Sequence, residues 1–117
     1  MGEDPVKKQL NRAKKNACKV LSVAGYKIER ASNDIYCVVA MRDTEWRAIK
    51  IAIPSIIKCA WFLEEIKRFE RLPCPDTKCI KKEIWLRKTN EQAFVQLHWE
   101  DNKWFTEDDK SVNLYQQ

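Results

Sequence analysis

Three strand-forming segments follow one another between residues 26 and 53, and only short polar turns separate them. They are rich in β-branched and aromatic residues, which favour strands, and they comprise Tyr26–Arg30, Ile35–Met41 and Trp46–Ile53. Residues 31–34 and 42–45 are the turns. Connections this short join antiparallel neighbours, whereas parallel strands need a long crossover. The segment therefore predicts an antiparallel meander of three strands.

Amphipathic helices are predicted on both sides of this meander. Apolar residues at three- and four-residue spacing mark a first helix over residues 6–24, with Pro5 in its first turn and Gly25 as its stop. Its other side is basic and carries Lys7, Lys8, Arg12, Lys14, Lys15 and Lys19. After Pro54, a second helix from Ile56 to about Leu72 is predicted, with Ser55 as its cap.

Two more strands complete the pattern, at Ile80–Lys88 and Ala93–Trp99. Residues 100–117 form a peripheral tail that either adds a short strand or stays loose. The length of 117 residues suits a single domain. The element order predicts an α/β (α+β) fold, αβββαββ, with a mixed sheet flanked by helices.

Composition narrows the function classes. The net charge of +5 and pI of about 9.0 are compatible with a polyanionic partner, and equally with a basic surface that only faces solvent. Only two residues are glycine, so neither Gly-rich phosphate-binding motif can be written. No apolar run is long enough for a membrane span, and the charged N-terminus lacks a signal core. We therefore expect a cytoplasmic protein without a membrane partner.

Cysteine and histidine chemistry is weakly indicated. The five cysteines are odd in number, and Cys18, Cys37 and Cys59 occupy apolar positions, which favours reduced, buried thiols. Cys74 and Cys79 flank one loop, but two thiols do not complete a tetrahedral zinc site. His98 is the one histidine, and nothing in the sequence marks a nucleophile and an acid to accompany it.

The meander holds a more informative pair, Asp34 and Lys50. A lysine inside the apolar run of the third strand is costly unless it meets solvent or an anion. A three-residue turn centred on Asp43 would set Asp34 opposite Ala52, diagonal to Lys50, and we favour that register. A two-residue turn would move Lys50 to the other face. Alternatively, Asp34 caps a turn and Lys50 lies on a solvated face.

The leading helix, the segment GYKIERASNDIYCVVAMRDTEWRAIKIAI and the second helix together resemble the PD-(D/E)XK nuclease superfamily. The nearest resemblance is to archaeal Holliday junction resolvase-like small nucleases, over roughly residues 9–99. The resemblance implies a restriction-endonuclease-like fold. It also implies an acid that opens the second strand, an acid-x-Lys motif on the third, and a divalent metal, usually magnesium.

The motif is incomplete in this chain. Asp34 matches the first acid, although Asn33 replaces the usual proline. If Lys50 is the family lysine, Ala48 stands where the second carboxylate belongs. If the motif is read two residues later, Lys50 replaces the acid and Ala52 replaces the lysine. On the first reading, the chain lacks only the acid. The missing acid is then sought on the second helix, at Glu65 or its neighbour. The resemblance thus implies catalytic residues Asp34, Lys50 and Glu65, with Asp34 and Glu65 as metal ligands. The other candidate acids are Glu64, Glu45 and Glu29.

Three hypotheses follow. The first is a nucleic-acid-binding protein, for DNA by preference, with a nuclease-like fold and a degenerate, weak or inactive metal site. The second is an active magnesium-dependent endonuclease, junction- or structure-specific, with a rearranged acidic site. The third is a homodimeric interaction module that uses Trp99, Trp104 and Phe105. The nucleic-acid contacts expected under the first are Lys7, Lys8, Arg12, Lys15, Arg30, Ser32, Lys67, Arg68 and Lys81.

Overall fold

In the part of the chain that the computed structural model describes, seven strands form one mixed sheet and lie in it in sequence order. The structure describes residues 4–30, 37–71, 80–88 and 93–115. Its elements are α1 (Pro5–Val23), β1 (Lys27–Arg30), β2 (Cys37–Arg42), β3 (Glu45–Ala52), α2 (Ala60–Glu70), β4 (Ile80–Arg87), β5 (Phe94–Glu100), β6 (Lys103–Phe105) and β7 (Ser111–Val112). The predicted mixed α/β class is confirmed.

Local sequence signals bound α1. The side chain of Asp4 accepts a hydrogen bond from the Val6 amide at 2.9 Å, and Pro5 lies in the first turn. Gly25 follows the helix with φ of 90°, and the Tyr26 amide donates to the Leu21 carbonyl at 3.0 Å. A glycine that reverses the chain in this way is a common end to a helix. The predicted start and stop of α1 are confirmed.

The first three strands form the expected antiparallel meander, but through the other turn. Arg42 pairs with Glu45, so Asp43 and Thr44 alone make the turn between β2 and β3. Asp43 has φ of 54°, the left-handed conformation that tight hairpins favour and aspartate tolerates. The three-residue turn that we favoured from the sequence is therefore wrong. Lys50 lies opposite Cys37, one position out of the expected register.

The two helices cover opposite faces of the sheet. β3 pairs in parallel with β4, and α2 is the crossover between them. Lys50 of β3 contacts Phe62 and Glu65 of α2, so even-numbered β3 residues face α2. α1 packs on β1, β2 and β3 from the other side, where Ile49 and Ile51 point. Its inner side buries Leu10, Ala13, Ala17 and Leu21.

α2 begins later than its apolar spacing predicted. Residues 54–58 form turns, and Cys59 precedes the helix without a side-chain capping bond. Ser55 does not cap α2, and its carbonyl instead accepts the Cys59 thiol at 3.4 Å. Ile56 is buried within these turns. Ile56 is therefore buried at the position that the apolar spacing of α2 predicts, although it precedes the helix.

The segment after residue 100 adds strands to the sheet. β6 and β7 extend it antiparallel beyond β5. Trp104 is 2% exposed and stacks on Phe69 of α2 with ring centroids 6.3 Å apart. Trp104 thus belongs to the core, and its assignment to a dimer surface is wrong.

Neither Cys18 nor Cys59 forms a disulfide within the described residues, and both side chains are half-buried. The side chain of Cys37, together with Cys74 and Cys79, lies outside the described residues. Within the described part of the chain, neither helix has the length and apolar character needed to cross a membrane.

Replacing Gly25 with alanine should destabilise the fold by about 1–2 kcal/mol, because L-residues avoid the left-handed region. An added Cβ would lie 3.7 Å from the Arg42 Cδ atom, so backbone strain, not a clash, causes the loss. Urea denaturation measures the change. Gly25→Asn should lose less, because asparagine tolerates positive φ. A Gly25→Ala variant as stable as the wild type would show that this stop is unimportant.

Candidate nucleic-acid interface and buried ion pair

Lys50 is fully buried in the middle of β3, at 0% exposure. Its ammonium Nζ lies 3.4 Å from Glu65 Oε2 and 5.9 Å from the centre of the Phe62 ring. Phe62 and Glu65 are three residues apart on α2 and therefore share one side of that helix. A buried cation needs an anion nearby. The α2 carboxylate therefore stabilises the Lys50 charge inside the sheet–helix layer.

Glu65 is one of two adjacent α2 acids that the sequence offers as a partner in the candidate site. Its side chain is 25% exposed, and its buried Oε2 accepts no hydrogen bond from the described residues. Its attraction to Lys50 is therefore mainly electrostatic. Glu64 points outward at 67% side-chain exposure and pairs with Lys67 at 3.3 Å. The structure thus distinguishes two adjacent acids that the sequence left equivalent.

Glu45 and Glu29, the other candidate acids that the structure describes away from α2, are not gathered around Lys50. Asp34 lies outside the described residues, as does Ser32. Glu45 begins β3 and accepts hydrogen bonds from the Tyr26 hydroxyl at 3.0 Å and from Lys81 at 3.3 Å. Glu29 is exposed on the edge strand β1. Among the described residues, no group of three or more histidine, cysteine or acidic side chains could hold a metal ion.

A second buried ion pair, Arg47–Glu83, was missed by the sequence reasoning. The Arg47 guanidinium donates two hydrogen bonds to the Glu83 carboxylate, which also accepts the Trp85 indole N–H at 3.1 Å. The Arg47 guanidinium lies over the Tyr26 ring at 5.3 Å and the Trp85 ring at 5.4 Å. The hydrogen bonds with Glu83 raise the pKa of Arg47. No sequence signal marked this pair, because β3 (EWRAIKIA) and β4 (IKKEIWLR) each carry several charged residues.

Unpaired positive charge is concentrated on α1. Its sequence contains no acidic residue, and its outer side exposes Lys7, Lys8, Arg12, Lys15 and Lys19, with Lys14 half-buried. Within residues 4–30, 37–71, 80–88 and 93–115, no carboxylate lies within ion-pairing distance of these six side chains. They therefore form an uncompensated positive row, called here the α1 basic row.

Two of the other predicted nucleic-acid contacts, Lys67 and Lys81, are already paired with carboxylates. Lys67 pairs with Glu64 at 3.3 Å, and Lys81 pairs with Glu45 at 3.3 Å. Arg68 is exposed on α2. The Arg30 side chain lies outside the described residues. Lysines already paired with carboxylates attract a phosphate less, because their charge is partly compensated.

Comparison with protein-family models, with curated proteins and with solved structures finds no match to this chain.

Breaking the buried pair from either side should have unequal effects. Glu65→Ala leaves the Lys50 ammonium buried without this carboxylate and should cost about 2–3 kcal/mol, somewhat less than a fully enclosed pair because Glu65 is part-exposed. Lys50→Met should cost less, since Glu65 can hydrate. Urea unfolding of both variants and of Lys50→Met/Glu65→Leu measures the difference. Equal losses in both single variants would contradict this account.

Acid should weaken the contacts of Glu45. The Tyr26 hydrogen bond, and then Lys81, lower the pKa of Glu45 below its ordinary value of 4.5. The stabilisation is therefore complete above that ordinary value and is lost as the pH falls through the lowered pKa. Glu45→Gln should be less stable than wild type at neutral pH, and the difference should shrink in acid. Urea midpoints at neutral pH and at about pH 3 test this.

Proposed function

We propose that this chain binds nucleic acid, DNA in the first instance, through the α1 basic row, on a nuclease-like domain with weak or absent catalysis. The α1 basic row is the observation that carries the proposal. Cations with no carboxylate nearby attract phosphates and release counterions on binding. α1 is held rigidly by the four apolar side chains on its inner side, so the row is a fixed surface.

The order of elements supports kinship with PD-(D/E)XK nucleases. An α-helix, an antiparallel meander, a second helix and a strand parallel to the third follow one another along the chain. The lysine of the third strand also lies beside an acid of the second helix. Both features fit the superfamily pattern on which the resemblance was based.

The burial of Lys50 argues for binding rather than catalysis. A lysine that activates water must reach the water and the scissile phosphate. The Lys50 side chain is 1% exposed, lies against Phe62 and is paired with Glu65. An ammonium in that position stabilises the layer between α2 and the sheet, and it has no direct path to a substrate phosphate.

The first test is salt-dependent binding of a labelled DNA duplex between about 50 and 200 mM salt. We expect the affinity to fall steeply with salt. A variant with Lys7, Lys8, Arg12 and Lys15 changed to glutamine should reduce the slope of log K against log[salt] by about 3–4, which is about 0.9 for each lost phosphate contact.

The matched control removes the same charge elsewhere, by changing Lys27, Lys58, Lys88 and Lys110 to glutamine. All four are exposed and lie outside α1. The control should keep most of the wild-type affinity and slope. Equal losses in the two variants would mean that net charge alone drives association, and salt-insensitive binding would remove the proposal altogether.

The contact between Lys50 and Glu65 keeps a second candidate open, an active metal-dependent endonuclease. Plasmid and branched-DNA cleavage with Mg²⁺ or Mn²⁺ separates it from the first. Our proposal expects no cleavage above the level of Asp34→Ala. Cleavage by the wild type that Asp34→Ala abolishes would establish the nuclease instead.

A further inference from the structure

A cleft of about 380 Å³ opens where the end of α2 meets β5, β6 and the C-terminal segment. Aromatic and polar side chains both line it, and it lies apart from the α1 basic row and from Lys50. The lining residues that matter here are Glu70, Trp99, Trp104, Lys103, Asn113 and Tyr115. A concave apolar site with a few convergent polar groups is the usual form of a small-ligand site.

Glu70 places a fixed carboxylate in this cleft. Its Oε2 accepts hydrogen bonds from the Trp104 indole N–H at 2.7 Å and from the Tyr115 hydroxyl at 2.6 Å. Its Oε1 accepts no hydrogen bond from the described residues. Because a carboxylate oxygen can accept two hydrogen bonds, Oε1 retains capacity for a donor on a ligand. The two hydrogen bonds to Oε2 hold the group in one orientation.

Two indole rings form the apolar part. Trp104 is buried and is held by Phe69, so its ring is a rigid wall. Trp99 is half-buried, with its ring centroid 5.0 Å from that of Trp104 and an angle of 53° between the ring planes. The accessible part of Trp99 is therefore a supported flat surface, on which a planar ring can stack.

The charges around the cleft select among planar ligands. Lys103 lines the rim and is exposed, and Lys67 Nζ lies 5.4 Å from the centre of the Tyr115 ring. Glu64 partly compensates Lys67, so Lys103 is the rim cation that offsets the negative charge of Glu70 and favours a ligand that carries a phosphate. The ligand that fits is therefore a neutral planar ring with N–H donors and an anionic group.

Among the four nucleobases, the carboxylate distinguishes guanine. Guanine presents adjacent N1–H and N2–H donors on its Watson–Crick edge. Adenine and cytosine place an acceptor nitrogen beside their amino group, and thymine flanks its N3–H with two carbonyls. An acceptor forced against a carboxylate is repelled, so only guanine meets Glu70 with donors alone.

We propose that this cleft binds a guanine nucleotide, with the base stacked on Trp99, its N–H edge on Glu70 and its phosphate near Lys103. The inference rests on the proposed nucleic-acid function and adds that the cleft selects guanine among the bases. The guanine comes either from a free nucleotide or from a guanosine in a single strand, since single-stranded bases are the ones that stack on aromatic side chains.

Tryptophan fluorescence and calorimetry with the full chain test the first source. Guanosine 5′-monophosphate should bind about tenfold more tightly than adenosine 5′-monophosphate, because guanine offers Oε1 two N–H donors whereas adenine offers one donor beside a repelled acceptor. Inosine 5′-monophosphate lacks the N2 amino group and should bind between the two. The second source is tested with a thymidine oligonucleotide that carries one central guanosine, compared with the all-thymidine strand.

Variants assign the contacts. Glu70→Gln should abolish the preference for guanine over adenine, whereas Glu29→Gln, the same charge change at the far edge of the sheet, should leave it intact. Trp99→Leu should weaken all bases alike. Lys103→Gln should weaken the nucleotide more than the nucleoside. Circular dichroism checks that each variant is folded.

A guanine preference in either arm that Glu70→Gln removes supports the proposal, and the arm that shows it identifies the source. No preference for guanine in either arm overturns it, as does a preference that survives Glu70→Gln in a folded protein. Failure here is distinguishable from failure of DNA binding. The α1 glutamine variant should keep the guanine preference, and Glu70→Gln should keep the salt-dependent duplex binding.

Discussion

The buried ammonium of Lys50 requires an anion close by, and the elements around it are arranged so that one is present. β3 is the strand that joins the two halves of the sheet, antiparallel to β2 on one side and parallel to β4 on the other. A lysine at its centre is tolerated only if an anion approaches it from the layer above. Glu65 of α2 supplies that anion, and the helix that carries it is also the crossover that allows β4 to lie parallel to β3.

Charged side chains form two groups in this molecule: pairs inside the fold and exposed cations on α1. Inside the fold, Arg47 lies against the rings of Tyr26 and Trp85 and donates hydrogen bonds to Glu83. Lys50 pairs with Glu65. On α1 the cations face outward and no carboxylate of the described residues compensates them. Paired buried charges mainly stabilise and orient the fold, while an uncompensated row is free to meet an external anion. This separation is why the proposed function is placed on the helix and not on the buried lysine.

The C-terminal strands β6 and β7 contribute to the core beside α2 and to the proposed base-binding cleft. Without β6, the end of α2 would lose the ring that stacks on Phe69 and the indole that donates to Glu70. The same contacts border a cleft in which the Trp104 wall is rigid, because that ring belongs to the core. The proposed phosphate-binding surface on α1 and the proposed base-binding cleft therefore use different elements of one sheet.

Local signals made much of this fold predictable. Pro5 and Gly25 bound α1, the spacing of its apolar residues defines the inner side, and the density of β-branched residues indicates the meander. The sequence also pointed to Glu65 as one acid within reach of Lys50. It could not distinguish Glu65 from Glu64, because that choice depends on how α2 is rotated against the sheet. The same holds for α2 itself, which begins after a turn that buries Ile56.

Sequence alone indicated both helices, the first five strands, their order and the basic side of α1, because these depend on residues within a few positions of one another. Three features depend on the packed tertiary structure: the two-residue turn at Asp43, the pairing of Arg47 with Glu83 and the burial of Trp104. Each of these depends on side chains that a crossover or a strand register brings together from distant positions, or on whether the completed core accommodates them. The carboxylate of Glu70 accepts hydrogen bonds from Trp104 and Tyr115 for the same reason. These residues are close together only because β6 and the C-terminal segment pack against the end of α2.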